Sequence, residues 1–114
     1  MKKVEIKDVK SYNAPLHFDM KAMRLHGAEE TGTTKFWVGI SHFLPGGGAE
    51  WAYENSSPTE KIYYVLEGEM TVKSRDEEFL LKKGDSLFIG PNEGRSMLNN
   101  SNQVATVLVV ISYE

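Results

Sequence analysis

Three histidines are the residues best suited to acid–base chemistry, since imidazole titrates near neutral pH. They are His17, His26 and His42. His42 lies in an apolar stretch, in phase with Phe36 if the strand is regular, and we assign it to a cavity wall as a candidate acid or base. The alternative is a hydrogen-bonded core histidine. We interpret His17 as a solvent-facing strand position and His26 as part of a loop.

A lysine and a tyrosine form the second candidate group. The segment 62–66 is rich in aromatic and branched apolar residues, which predicts a β-strand. In a strand that begins one residue earlier, Lys61, Tyr63 and Val65 share one face because alternate side chains point the same way. Both the ammonium and the phenol can transfer protons when they line a cavity.

Composition excludes several classes of function. The chain has 114 residues, no cysteine, and 16 acidic against 13 basic residues. Without thiols it has no disulfide, thiolate zinc site, iron–sulfur cluster or cysteine nucleophile. The slightly negative balance argues against nucleic acid as a partner. No apolar run approaches the roughly 18 residues of a membrane span and no signal peptide is evident, so we expect a cytoplasmic protein.

The elements that position these residues are short strands with turn residues between them. We predict strands at 16–25, 36–44, 62–66, 70–74, 78–81, 87–89, 95–98 and 104–111. The first changes phase after Ala22, so that Met23 and Leu25 carry its apolar face through a bulge; a short helix is the alternative. The second ends at the Pro-Gly-Gly-Gly of 45–48. The pattern indicates an all-β antiparallel sandwich or barrel.

Three segments resemble the cupin superfamily in their order and spacing. They are PGGG at 45–48, YYVLEGE at 63–69 and GDSLFIGP at 84–91. The resemblance covers about 36–111 and implies a double-sheet antiparallel jelly-roll barrel with an internal ligand cavity, and a homodimer. We therefore expect one domain, 1–114, with N-terminal strands and arm at 1–34 and the conserved barrel at 35–112.

The positions at which the resemblance would place metal ligands carry other residues here. Counting from Gly68 puts Lys61 at the family's glutamate, and Asn55 and Ser57, or Glu54 and Ser56, at its first two histidines. Counting from Gly84 puts Arg95 at the third histidine. Two cations repel a divalent metal. We expect no metal and no cofactor, and keep as the alternative a metal held by rearranged ligands such as Glu54, Glu60 or His42.

The same resemblance brings Lys61 and Arg95 into one cavity. There they would hold an anionic group of a ligand, with Arg95 as a fork and Lys61 as a point charge. The alternatives are an internal ion pair with Glu50, Glu54 or Glu60, or side chains that point outward. The remaining candidate ligand-binding residues are Asn55, Ser57, Trp51, Tyr53 and Met97.

Three functions are consistent with such a pocket. The first is binding of a small organic anion such as a carboxylate, with isomerase- or lyase-type proton transfer by Lys61, Tyr63 or His42. The second is a metal-dependent dioxygenase or isomerase with rearranged ligands. The third is a non-catalytic metabolite-binding or regulatory module. The fold alone does not choose between them.

Overall fold

The computed structural model describes all residues from Met1 to Glu114 and contains nine β-strands. Apart from a single 3-10 turn at Ile6–Asp8 there is no helix, and none of the length and hydropathy that a membrane span requires. The strands are β1 (Ser11–Tyr12), β2 (His17–His26), β3 (Phe36–Ala52), β4 (Lys61–Glu67), β5 (Glu69–Lys73), β6 (Glu78–Lys82), β7 (Ser86–Ile89), β8 (Arg95–Leu98) and β9 (Ala105–Ser112). The six predicted strands from 62 onward are confirmed with boundaries shifted by at most a residue.

All strand pairs are antiparallel, and together they form the jelly-roll barrel that the sequence predicted. The order is β6-β5-β8-β3-β9-β4-β7, with β2 also paired to β3 and β1 to β2. The sheet curves until it nearly closes, and β1, β6 and β7 each pair on one side only. Side chains of alternate residues on every strand therefore point into one interior.

The longest strand, β3, corrects the prediction that a strand ends at residue 44. It continues through Pro45 and three glycines, pairing first with β9 and then with β8. A Cβ on Gly47 would lie 2.1 Å from the carbonyl oxygen of Asp19, and one on Gly48 would lie 2.0 Å from that of Met97. The glycines allow neighbouring backbones to approach closely while the strand bends between the two halves of the barrel. They continue the strand and do not end it.

Strand β2 also departs from the predicted phase. Its pairing with β3 shifts between Phe18 and Met20, where Asp19 adopts a positive φ of 48°. After this bulge Met20 and Ala22 pack against or within the core, and Arg24 continues on the same face. The predicted change of phase toward Met23 and Leu25 was wrong, as was the alternative of a helix. The register shifts lie earlier, between Phe18 and Met20, and later, between Arg24 and His26. The earlier one turns the first residue of the strand inward.

The core fills the barrel with alternate residues of the central strands. Its largest fully buried side chains include Phe43, Met70 and Val65. On β4 the buried positions alternate with exposed ones, so Lys61 and Tyr63 point inward with Val65. On β8, Arg95 and Met97 point inward for the same reason. The strand pattern thus delivers two cations to an apolar interior.

Candidate functional site

A cavity of about 140 Å³ lies inside the barrel, at the side where β2, β3, β4, β8 and β9 converge. Its walls combine an apolar surface that includes Phe43, Met97 and Val109 with several polar groups. The polar and aromatic side chains that line it are Tyr12, His17, Arg24, Trp37, Ser41, Tyr53, Lys61, Tyr63 and Arg95. A mainly apolar concavity with a few converging polar groups is the usual composition of a small-molecule site.

Lys61 enters this cavity from the first position of β4. Its backbone pairs with Ile89 on one side and Ile111 on the other, and the residue is only 3% exposed. The ammonium Nζ lies 3.4 Å from Oγ of Ser57 and 4.6 Å from the ring centroid of Tyr53. Burial lowers the pKa of Lys61 from its ordinary value, and the nearby charge of Arg95 lowers it further.

Arg95 enters from the first position of β8 and is also 3% exposed. Its Nε donates to the phenol oxygen of Tyr63 at 3.0 Å, and Nη1 donates to the main-chain carbonyl of Glu50 at 3.2 Å. The guanidinium carbon lies 4.9 Å from the ring centroid of Tyr53. Lys61 and Arg95 therefore share one aromatic ring, held by a residue with a positive φ of 77° at the end of β3.

Neither of these cations forms an internal ion pair. All five ion pairs of the molecule involve other basic residues, namely Lys3, Lys7, Lys73, Arg75 and Lys83. Glu50 meets Arg95 through its carbonyl and not through its carboxylate, Glu54 pairs with Arg75, and Glu60 is exposed. The structure therefore contradicts both the predicted alternative of a salt bridge and that of outward-pointing side chains.

His17 lines the cavity, which corrects its interpretation as a solvent-facing residue. The bulge at Asp19 is the cause, because it reverses the alternation at the start of β2. The imidazole stacks on Phe43 with centroids 6.3 Å apart, and Nδ1 lies 2.7 Å from the carbonyl oxygen of Pro15. A carbonyl only accepts, so Nδ1 carries the proton and Nε2 keeps its lone pair. Burial lowers the pKa of His17 from its ordinary value.

His42 lies outside the cavity, and this position corrects its assignment as a cavity-lining acid or base. It alternates with Ser41 and Phe43, which both line the cavity, so its side chain is on the other face of β3. There Nδ1 lies 3.0 Å from Oγ1 of Thr106 on β9. The inner face of β3 is therefore the one that carries Trp37, Ser41 and Phe43, and not the face of Phe36 and His42.

The remaining candidates divide into two groups. Met97 and Tyr53 line the cavity, and Ser57 is buried next to Lys61, which donates to it. Asn55 and Trp51 do not reach the cavity: Asn55 is exposed with a positive φ of 58°, and Trp51 is 41% exposed. The indole Nε1 of Trp51 donates to the Glu54 carboxylate at 3.3 Å.

Sequence reasoning missed a third cation, Arg24, in the same cavity. The guanidinium carbon of Arg24 lies 4.7 Å from the ring centroid of Tyr12 and 4.9 Å from that of Trp37. Its Nε is buried without a hydrogen-bond partner. The signal that could have found it is the alternation from Met20 through Ala22, which continues directly to Arg24 when no phase change is introduced.

The donor set of this cavity does not fit a metal ion. Its side chains include a single imidazole and no carboxylate, and no three histidine, aspartate or glutamate residues anywhere in the molecule are arranged to hold a metal. Two positions that the family resemblance assigns to metal ligands hold Lys61 and Arg95, whose charges repel a divalent cation. The rearranged ligands Glu54, Glu60 and His42 do not meet in one site either.

Comparisons with known proteins agree with this fold. The Cupin domain family model matches residues 39–111. A β-D-galactosidase of Mycobacterium tuberculosis, Rv1717, is 37% identical over 115 residues, an alignment that spans 99% of this chain and 95% of the relative. Its name describes that protein's activity.

Solved structures also share the architecture at lower sequence identity. The polyketide cyclase RemF from Streptomyces resistomycificus is 24% identical with a TM-score of 0.85, covering 100% of this chain and 80% of the other. A predicted oxalate decarboxylase from Thermotoga maritima is 18% identical with a TM-score of 0.81, covering 97% of this chain and 98% of the other. The family model and the 37% identical relative together establish that this chain belongs to the cupin family.

Proposed function

We propose that this cupin binds a small organic anion, a carboxylate, in the cavity on Lys61 and Arg95. The observation that carries the proposal is the pairing of these two buried cations on the ring of Tyr53 without a carboxylate partner. A buried charge without a partner lowers the free energy of unfolding by roughly 3–5 kcal/mol relative to a paired one. An anionic ligand supplies the missing partner, and the guanidinium offers it a planar set of donors.

The size of the cavity limits the ligand. A volume of about 140 Å³ holds about five groups the size of a water molecule, at roughly 30 Å³ each. A short-chain acid fits this space, as does the acidic end of a larger molecule. The apolar wall of Phe43, Met97 and Val109 would contact its hydrocarbon part.

Three groups of the cavity are suited to move protons on such a ligand. Nε2 of His17 has a free lone pair and a lowered pKa, so it is a base at neutral pH. The phenol of Tyr63 accepts from Arg95, which leaves its own O–H to donate. The lowered pKa of Lys61 brings its neutral form closer to neutral pH. These groups support acid–base chemistry of the isomerase or lyase type, with His17 in the role first given to His42.

A binding titration with matched probes tests the proposal. We expect butyrate to bind the full-length protein and the uncharged butyramide not to bind, as followed by NMR shifts of the cavity residues. Arg95→Gln and Lys61→Met should weaken butyrate binding roughly tenfold or more, since a charge-assisted hydrogen bond contributes about 1.5–3 kcal/mol. Lys83→Gln, on an exposed lysine paired with Glu67, is the control and should leave binding unchanged. Equal binding of butyrate and butyramide would overturn the proposal.

The similarity to a β-D-galactosidase of Mycobacterium tuberculosis favours glycoside hydrolysis as a second candidate function. Most glycosidases use two carboxyl groups, one as acid and one as nucleophile or base. The cavity contains no carboxylate, so this chemistry would need other groups or another site. Release of nitrophenol from nitrophenyl β-D-galactoside, lost in Lys61→Met and kept in Lys83→Gln, would favour this candidate over the first.

A further inference from the structure

Arg24 brings a third cation into the cavity, on a wall other than the one that carries Lys61. Its guanidinium is close to the rings of Tyr12 and Trp37, at 4.7 and 4.9 Å from their centroids. It forms no ion pair, and its buried Nε has no hydrogen-bond partner. Two aromatic faces hold the cation in place, and its Nε has no hydrogen-bond partner within the protein.

The strand register sets how far this cation lies from the first pair. Lys61 pairs with Ile111 and Ile111 with Trp37, while Gly39, two residues beyond Trp37, pairs with Arg24. Three steps between neighbouring strands, at about 4.8 Å each, separate the backbones by about 14 Å along the curved sheet. Both side chains nevertheless line one cavity, so they approach it from separate walls.

Glu30 is the carboxylate beside Arg24 that offers another explanation. A Cβ on Gly27 would lie 2.5 Å from Oε1 of Glu30 and 2.7 Å from Cδ of Arg24, so both side chains border this glycine. Yet the two form neither an ion pair nor a hydrogen bond. Glu30 therefore does not satisfy the guanidinium, which still has donors for a ligand in the cavity.

We infer that Arg24 is a second anion-binding subsite and that the ligand of this cavity is a dianion, a short molecule with an acidic group at each end. The inference rests on the proposed function, which places the first acidic group on Lys61 and Arg95. The second group binds the guanidinium of Arg24 between Tyr12 and Trp37. An aliphatic segment of a few carbons joins the two groups across the apolar wall.

Matched acids of equal chain length test this inference. Succinate and butyrate both have four carbons, but only succinate has two carboxylates. We expect the full-length protein to bind succinate ten- to a hundredfold more tightly than butyrate, the range that roughly corresponds to one charge-assisted hydrogen bond. In Arg24→Gln succinate affinity should fall far more than butyrate affinity, so that the preference drops to near unity, whereas the surface variant Lys83→Gln should keep it. Glutarate and adipate, with pentanoate and hexanoate as their partners, extend the series to longer spacings.

Each outcome has a defined meaning. A dicarboxylate preference that survives in Arg24→Gln, or no preference at any chain length in the unaltered protein, overturns the second subsite. Butyrate binding that depends on Arg95 would still support the proposed function in that case. Failure of both acids to bind overturns both proposals. Arg24→Lys keeps the charge and should retain part of the preference if Arg24→Gln does not fold, and Lys83→Gln controls for general charge effects.

Discussion

Arg95 and Tyr63 are joined by a hydrogen bond of 3.0 Å between Nε and the phenol oxygen, and both residues are 3% exposed. The bond fixes the guanidinium plane with one donor occupied, while Nη1 is held by a backbone carbonyl. The remaining N–H groups are available to a ligand. Tyr63 thus acts as a positioning residue for Arg95, in addition to the proton that its own hydroxyl can donate.

Removal of this hydroxyl should weaken both stability and binding. Tyr63→Phe leaves Nε buried without a partner, which should lower the free energy of unfolding by about 1–3 kcal/mol. Butyrate affinity should fall as well, because the guanidinium loses its fixed orientation. Chemical denaturation and a binding titration measure the two effects.

The adjacent tyrosine provides a matched control for this variant. Tyr64 is 40% exposed on the opposite face of β4, and its hydroxyl makes no hydrogen bond within the protein. Tyr64→Phe should therefore change neither stability nor binding. Equal effects of the two substitutions would contradict the assigned role of Tyr63.

Lys61 should make the free energy of unfolding depend on pH in the alkaline range. Burial, and then the charge of Arg95, lower its folded pKa, whereas the unfolded chain keeps the ordinary value of 10.5. Between these two pKa values the unfolded state binds more protons, so the free energy of unfolding rises with pH across that window. Below the folded pKa the cost of the buried charge is fully present. An anionic ligand favours the protonated form, so binding in this window should be accompanied by proton uptake.

Lys61→Met isolates this effect. The variant replaces an unpaired buried cation by an apolar chain of similar length, so it should be as stable as the unaltered protein or more stable by about 1–4 kcal/mol at neutral pH. The difference between the two proteins should shrink as pH rises. Denaturation in urea over a pH series measures it, with Lys83→Gln as the control. A constant difference across the series would argue against a buried charged lysine.

The part of this site that the sequence predicted depends on regular alternation. Burial alternates regularly around Lys61 and Tyr63 on β4 and around Arg95 and Met97 on β8, so counting by two places them correctly on the inner face. The register shift of β4 comes only after Val65. The cupin resemblance then brings the two strands together. The fold from residue 62 onward was predictable for the same reason, since compact turns separate the strands.

The rest of the site depends on irregularities that a pattern of residue types does not reveal. The bulge at Asp19 brings His17 and Arg24 onto one face, although an odd number of positions separates them. The residue spacing alone indicates opposite faces. Likewise the glycines after Pro45 resemble a strand end, and only the close approach of neighbouring backbones shows why they lie within a strand.

That close approach predicts a strong effect of a single methyl group. Gly48→Ala would place a Cβ 2.0 Å from the carbonyl oxygen of Met97, which belongs to the paired strand β8 and cannot move without breaking the ladder. We expect a loss of about 2 kcal/mol or more, the range of severe backbone and overpacking effects. Thermal and urea unfolding measure it. Gly90→Ala is the control, since its Cβ would meet only the flexible side chains of Glu93 and Phe88, at 3.2 Å or more; equal losses would contradict the argument.

The two histidines of the barrel wall should differ in their chemistry. His17 is held in the cavity with Nδ1 donating to Pro15, and burial lowers its folded pKa below the ordinary 6.5. As pH falls, His17 is protonated in the unfolded chain before it is protonated in the folded protein. The free energy of unfolding therefore decreases between a pH of about 6.5 and the folded pKa. His17→Gln should remove this part of the pH dependence and weaken any proton exchange that the protein catalyses on a bound acid. His42→Gln, outside the cavity, should leave that exchange unchanged.

Nitrogen NMR of the imidazoles checks the tautomer of His17 directly. We expect its proton on Nδ1, which donates to the carbonyl of Pro15. A proton on Nε2 instead would contradict the role of His17 as the base.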